Sequence, residues 1–163
     1  MMNHLVYLSL GSNIGDRESH LRDAISRLEN KGRIKSIASF YETEPVEFTD
    51  QARFLNCALA LETEEAPEQL MESVLHIEQE MGRERQQNKG PRTIDIDILL
   101  FSDTIIDSPK LTIPHPAMHE RRFVLQPLAE IAPEVRHPVL KKTIRELLGS
   151  LPAGQAVEKV QKT

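Results

Sequence analysis

Tryptophan is absent from this 163-residue chain, aromatic residues reach only 4%, and one cysteine, Cys57, stands alone. A single thiol can neither close an internal disulfide nor furnish a cysteine-based metal cluster, so Cys57 reads as a small buried apolar residue. Long apolar runs are missing too. The longest, such as Cys57 to Leu61 and Ile98 to Phe101, fall far short of the roughly 20 residues that span a bilayer. The first residues carry no basic n-region and no cleavage site after a long apolar stretch, so a cytoplasmic chain that starts directly in a strand is expected. Positive charge is in deficit: 20 Lys and Arg against 25 Asp and Glu leave a net charge of −5. That balance disfavours nucleic acid or an acidic membrane as partner, because both are anionic. No GxxxxGK[ST] segment occurs, so a P-loop cannot cradle phosphates here.

What is present suffices for a folded domain. Hydrophobic residues make up 39% and charged residues 28%, which argues against disorder and for one domain over 1–163, with about 152–163 as a frayed tail. Strand-like and helix-like periods alternate, as in mixed α/β or α+β folds. Leu5 to Leu10 reads as a strand, ended by a turn cluster Gly11-Ser12-Asn13-Ile14-Gly15. Asp16 is a good N-cap for a helix with Leu21, Ala24 or Ile25, and Leu28 on one stripe, and Gly32 can close it. Residues 33 to 41 predict a second strand and Glu44 to Asp50 a loop. Phe54 to Leu61 alternates as a third strand, with Phe54, Asn56, Ala58 and Ala60 on one face. Pro67 suits the first turn of a helix whose stripe is Leu70, Val74, Ile77 and Met81, stopped by Gly82. Thr93 to Phe101 is a fourth strand, followed by a Ser102-Asp103 turn and a short pairing strand around Thr104 to Ile106. Short helices are expected at Leu128 to Ile131 and at Ile144 to Leu148, the second between a Thr143 N-cap and a Gly149 stop.

The chemistry concentrates in Gly90-Pro91-Arg92-Thr93-Ile94-Asp95-Ile96-Asp97-Ile98-Leu99-Leu100-Phe101. In a strand, Asp95 and Asp97 project from one face and the isoleucines from the other. Two carboxylates about 7 Å apart repel each other unless a cation lies between them, and Mg²⁺ is the hard cation that suits oxygen donors. The pair could instead sit on a solvated sheet face. Four cations, Arg83, Arg85, Lys89 and Arg92, against the single anion Glu84 favour the metal reading by placing anion-binding charge next to the carboxylates. Carboxylates, divalent metal and guanidinium groups together are the parts of a phosphoryl-transfer site. His115 and His119 have i,i+4 spacing, but Pro116 replaces the glutamate of a zinc-protease helix.

In order and spacing, the chain resembles the 6-hydroxymethyl-7,8-dihydropterin pyrophosphokinase family over about residues 4 to 135. The residues that carry the resemblance are Gly11-Ser12-Asn13, Phe40-Tyr41-Glu42-Thr43-Glu44-Pro45, Phe54-Leu55-Asn56, the Gly-Pro-Arg-Thr-Ile-Asp-Ile-Asp-Ile-Leu-Leu stretch, Leu111 to Pro116, Arg122 to Leu125, Pro127-Leu128 and Glu130 to Pro133. Lys89 and Asn88 depart from the family's usual aromatic and basic residues. The resemblance implies a ferredoxin-like α+β fold, with a mainly antiparallel sheet flanked by helices in α/β/α layers. It implies a monomer that uses ATP and two Mg²⁺ to pyrophosphorylate a pterin alcohol, with no nucleic-acid or membrane partner. Asp95 and Asp97 would hold both metals, Asp95 also lying near the pterin hydroxymethyl. Arg83 and Arg92 would engage the phosphates and support catalysis. Glu78, Lys110, Thr112, His115 and Arg121 fall on ATP-contacting positions, and the backbones of Ile98 and Thr112 on adenine. Thr43, Pro45, Val46, Phe54, Asn56 and Phe123 fall on the pterin pocket, where a flat heterocycle wants aromatic faces and a few polar groups for its edges. Two other readings share parts of this pattern. A non-catalytic ferredoxin-like binding module shares the architecture, and an Asp-x-Asp nucleotidyltransferase shares the carboxylates, although its glycine-serine turn would stand one short helix before them.

Overall fold

The computed structural model describes residues 3–43, 53–82, 93–154 and 157–160. Its centre is an antiparallel sheet in which the first strand, β1 (His4–Ser12), lies between β4 (Phe54–Thr63) and β5 (Asp95–Phe101). On its far side β4 pairs with β2 (Arg33–Ile37) and then with β3 (Tyr41–Thr43), and β3 carries β8 (Val157–Lys159) at the edge. Register puts Val6, Leu8 and Leu10 level with Leu61, Leu59 and Cys57, and Leu8 and Leu10 level with Ile98 and Ile96. All of these residues are buried. They form one apolar face, against which α1 (Arg17–Leu28) and α2 (Pro67–Glu80) contribute Leu21, Ala24, Leu28, Leu70, Val74 and Ile77 to the same core. Asp16 caps α1 through a bond from the Ser19 N–H, and Pro67 occupies the first turn of α2, as the sequence predicts. Cys57 is fully buried, donates weakly to the Ala38 carbonyl and has its thiol raised to about 12, mainly by burial, so it is chemically inert.

The opposite face carries Ser9, Gly11, Asn56, Ala58, Tyr41 and the two aspartates. The helix α3 (Arg122–Ile131) lies on this side, because the Tyr41 hydroxyl donates to Glu130 Oε1 at 2.6 Å. Behind α3 stands α4 (Ile144–Gly149), whose Thr143 and Glu146 complete a reciprocal capping box. Helices therefore flank both faces of an antiparallel sheet, which is the ferredoxin-like α+β arrangement.

Several expectations needed correction. Gly11 and Ser12 belong to β1 rather than to the following turn. α1 ends at Leu28, before Gly32; Gly32 is required for another reason, because a Cβ there would collide with the Glu62 carbonyl oxygen of β4. Residues 33 to 41 do not form one strand: the Ser39 N–H turns away to the Glu130 carboxylate at 3.1 Å, and pairing with β4 resumes only at Tyr41. After the Ser102 turn the short strand is β6 (Ile106–Asp107), later than Thr104 to Ile106, and it pairs with β7 (Thr112–Ile113) in a separate two-stranded ribbon. α3 begins at Arg122, well before Leu128, because the buried stripe Val124, Leu125 and Leu128 carries the helix through Pro127. The tail is not wholly frayed, since Val157 to Lys159 pair with Thr43 to Tyr41.

Candidate active site

Three neighbouring strands bring the polar residues of the open face into one row. Asn56 of β4 stands opposite Gly11 of β1, and Gly11 stands opposite Asp95 of β5. Two strand spacings separate Asn56 from Asp95, about 10 Å, and the residue between them has no side chain. One pair further along β1, Ser9 faces Asp97. Asp95 and Asp97 are half-exposed while Ile96 and Ile98 are buried, so both carboxylates do share the accessible face. At the other end of the row the Asn56 Nδ2 donates to Thr43 Oγ1 at 2.6 Å, and half-buried Phe54 lies beside them.

The edge of β5 away from β1 borders a second feature, a cavity of about 260 Å³. Asp97, Ile98, Lys110, Thr112 and His115 line it, together with Met71 of α2. The segment after β7 is tied to this edge by the His115 N–H, which donates to the Leu99 carbonyl at 3.0 Å. His115 Nδ1 accepts from the Ala117 N–H at 3.1 Å, which leaves Nε2 to carry the proton of the neutral ring. Burial first, and then the positive charge of Arg121, lowers the imidazole to about 4 against a smaller opposing pull from Asp95. The ring is therefore a neutral donor at physiological pH. Arg121 packs its guanidinium 5.6 Å from the Phe123 ring centre, so the start of α3 presents a cation and an aromatic face side by side.

Glu78 has a definite place. It is 2% exposed, and its Oε2 accepts from the Ile96 N–H at 2.7 Å. Ile96 lies between the two aspartates on a strand whose other side pairs with β1, so this carboxylate satisfies an outward-pointing donor of the edge strand. Of the residues singled out in the sequence, Thr43, Phe54, Asn56, Asp95, Asp97, Ile98, Lys110, Thr112, His115, Arg121 and Phe123 gather around the open face and the β5 edge, and Glu78 supports them from α2. Pro45, Val46, Arg83 and Arg92 lie outside the described residues, as does most of the basic segment. Sequence reasoning missed Gly11 as part of the row. A glycine inside an apolar alternation is itself the signal of a close approach. It also missed Met71, which lies off the apolar stripe of α2 and gives no such signal.

The neutral state of His115 has a measurable consequence. An unfolded-state histidine titrates near 6.5, and the folded one near 4. Between these values the unfolded chain binds more protons, so the contribution is complete above about pH 6.5 and is lost as pH falls through 4. Its upper bound is about 3 kcal/mol, because each factor of ten between the two proton affinities is worth roughly 1.36 kcal/mol. Urea denaturation from pH 7 to 4 is expected to give the wild type a steeper loss of stability than His115→Asn. Parallel curves would contradict this.

A flanked antiparallel sheet with two carboxylates on its open face, and at its edge a cavity lined by Asp97, Lys110 and a neutral histidine, is the framework of an ATP-dependent group transferase. Residues 7–133 match the model of 7,8-dihydro-6-hydroxymethylpterin-pyrophosphokinase (HPPK), and the chain belongs to that family. It is 48% identical over 136 residues to the 2-amino-4-hydroxy-6-hydroxymethyldihydropteridine pyrophosphokinase of Bacillus subtilis (strain 168), covering 82% of this chain and 81% of that one. The protein of the same description from Aquifex aeolicus (strain VF5) is 43% identical over 141 residues, which covers 86% of this chain and 88% of the relative. Among solved structures, Plasmodium falciparum HPPK-DHPS wild type with pteroate superposes with a TM-score of 0.75 over 91% of this chain at 19% identity. The match takes in 42% of that longer chain and bears on the fold alone.

Proposed function

We propose that this chain transfers the pyrophosphoryl group of ATP to the hydroxymethyl oxygen of 6-hydroxymethyl-7,8-dihydropterin, releasing AMP, as a step of folate biosynthesis. The observation that carries this reading is the row Asn56, Gly11, Asp95 beside the cavity that opens at Asp97. It offers a slot for a flat ring with a polar reader at one end and a carboxylate at the reacting end. Phe54 and Phe123 supply apolar faces, Asn56 and Thr43 the polar edge. Pro45 and Val46 complete the pocket on the grounds of family resemblance.

The nucleotide takes the β5 edge. The backbones of Ile98 and Thr112 meet the adenine, while Lys110, His115 and Arg121 face the phosphates. Arg83 and Arg92 join them in this reading, and Glu78 acts from behind the strand. The donor set of two half-exposed carboxylates on one face fits hard cations, so Asp95 and Asp97 would hold two Mg²⁺. Bound there, the ions would neutralise charge on the phosphate oxygens and favour attack at phosphorus. In the transfer the pterin hydroxyl oxygen bonds to the β-phosphorus and gives up its proton to solvent. The bond between the β-phosphorus and the bridging α–β oxygen breaks, and AMP leaves with that oxygen. Asp95, next to the hydroxymethyl group, can receive a hydrogen bond from the attacking hydroxyl and orient it. Positioning and charge neutralisation do most of the work, as is general for phosphoryl transfer.

The whole of 1–163 acts as a single pyrophosphokinase domain, a monomer working in the cytoplasm on small molecules. No helix among the described residues is long and apolar enough to cross a membrane. The reading is tested by the dependence of ATP consumption on its partners. Consumption should require both the pterin and Mg²⁺ and rise with a second-order dependence on Mg²⁺ at low concentration. Consumption independent of the pterin would overturn it.

A further inference from the structure

We infer that Gly11 is a specificity-determining residue: having no side chain, it lets the Asn56 carboxamide lie across β1 with its oxygen toward the slot that receives the donor edge of the pterin. The inference rests on the function proposed above and assigns a role to a residue outside the expected pocket.

Glycine in a strand interior weakens the strand, so its presence calls for a reason. Backbone conformation is not that reason, since the glycines with positive φ among the described residues are Gly15 and Gly82, and Gly11 is not one of them. Space is. A Cβ on Gly11 would stand 2.7 Å from Asn56 Oδ1 and 3.5 Å from Phe54 Cδ1, and the first distance is shorter than a carbon-oxygen contact tolerates. Nor can Asn56 step aside at no cost, because its Nδ2 is held by Thr43 Oγ1 at 2.6 Å and the two residues are 4% and 1% exposed.

The amide is thus pinned by Thr43 from one side, and its oxygen occupies the space above Gly11. Among the described residues no donor reaches that oxygen. An acceptor buried to this degree is normally satisfied, and the group that would satisfy it comes from the slot. The opposite neighbour of Gly11 is Asp95, so the uncovered strip of β1 runs between the reader of the ring and the carboxylate at the reacting end. The edge of a 2-amino-4-hydroxy pteridine presents N–H donors, which match a fixed carbonyl oxygen. Glycine at 11 therefore sets which heterocycle edge is accepted.

Equilibrium binding of 6-hydroxymethyl-7,8-dihydropterin, in the presence of Mg²⁺ and a non-hydrolysable ATP analogue, tests this with Gly11→Ala, Asn56→Ser and the double variant. Gly11→Ala is expected to weaken pterin binding by about tenfold or more, the scale of one lost buried hydrogen bond, with nucleotide affinity unchanged. The wild type should discriminate strongly against the 2-oxo analogue, which offers an acceptor where the pterin has a donor, and Gly11→Ala should lose most of that discrimination. The double variant should bind the pterin no more weakly than Asn56→Ser alone, because both changes remove the same oxygen. Should Gly11→Ala fail to fold, the double variant, relieved of the collision, still gives the last comparison. Wild-type pterin affinity in Gly11→Ala, or losses that multiply in the double variant, would overturn the role assigned to Gly11. A wild type that binds the nucleotide but not the pterin would instead overturn the proposed function.

Discussion

Replacing Asp97 with alanine is expected to lower turnover by about 10³-fold or more while leaving the metal-free fold intact. The size follows from the several kcal/mol of charge stabilisation that a divalent ion supplies in phosphoryl transfer, at roughly 1.36 kcal/mol for each factor of ten. Asp97 is half-exposed on the open face, with buried Ile96 and Ile98 pointing the other way, so it adds nothing to the apolar core. Its neighbours Asp95 and Ser9 remain, but one carboxylate binds a hard cation far less well than two. Melting of the metal-free variant should stay close to that of the wild type, as for other substitutions away from the core. Near-normal turnover at ordinary Mg²⁺, or an unfolded variant, would contradict the assignment of Asp97 to the metal site.

Glu78→Ala should fail differently. The family resemblance places Glu78 among ATP contacts, whereas its carboxylate is buried and accepts from the Ile96 N–H. Removing it leaves a buried donor in the middle of the Asp95-Ile96-Asp97 segment without this acceptor. A hydrogen bond to a charged group contributes about 1.5–3 kcal/mol, and an unsatisfied buried partner costs a similar amount. The ligand-free variant is therefore expected to lose about 2–3 kcal/mol in urea denaturation and, with the aspartates no longer held, most of its turnover. Glu78→Gln, which keeps an acceptor oxygen, should recover part of both. Unchanged ligand-free stability with weakened ATP affinity would return Glu78 to a purely nucleotide-contacting role.

The difference between these two residues reflects what a sequence makes legible. Asp95 and Asp97 could be placed on one face by alternation alone, and equally local patterns located the two faces of β4, the Asp16 and Thr143 caps and the first turn of α2. Local rules were enough because each depends on neighbours within a turn or a strand. Glu78 looked like any polar residue on an amphipathic helix; its partner is 18 positions away, and only the packing of α2 against the edge of β5 discloses it. The break between β2 and β3 has the same origin, in a Glu130 carboxylate 91 positions from Ser39. Gly11 was visible but read as a turn residue, since proximity to Asn56 arises from the register of two strands 45 positions apart (56 − 11). The short strand after Ser102 could be expected from its turn, but its partner could not, since Ile106 and Asp107 pair with Ile113 and Thr112 in a ribbon of their own.

The identity of the nucleotide product tests the central claim most directly. The protein, ATP, Mg²⁺ and 6-hydroxymethyl-7,8-dihydropterin are incubated together, and the nucleotides are separated and quantified as the pterin is consumed. Attack at the β-phosphorus yields AMP in a one-to-one ratio with a pterin carrying two phosphates. ADP formed together with a singly phosphorylated pterin would mean attack at the γ-phosphorus and would contradict pyrophosphoryl transfer at this site.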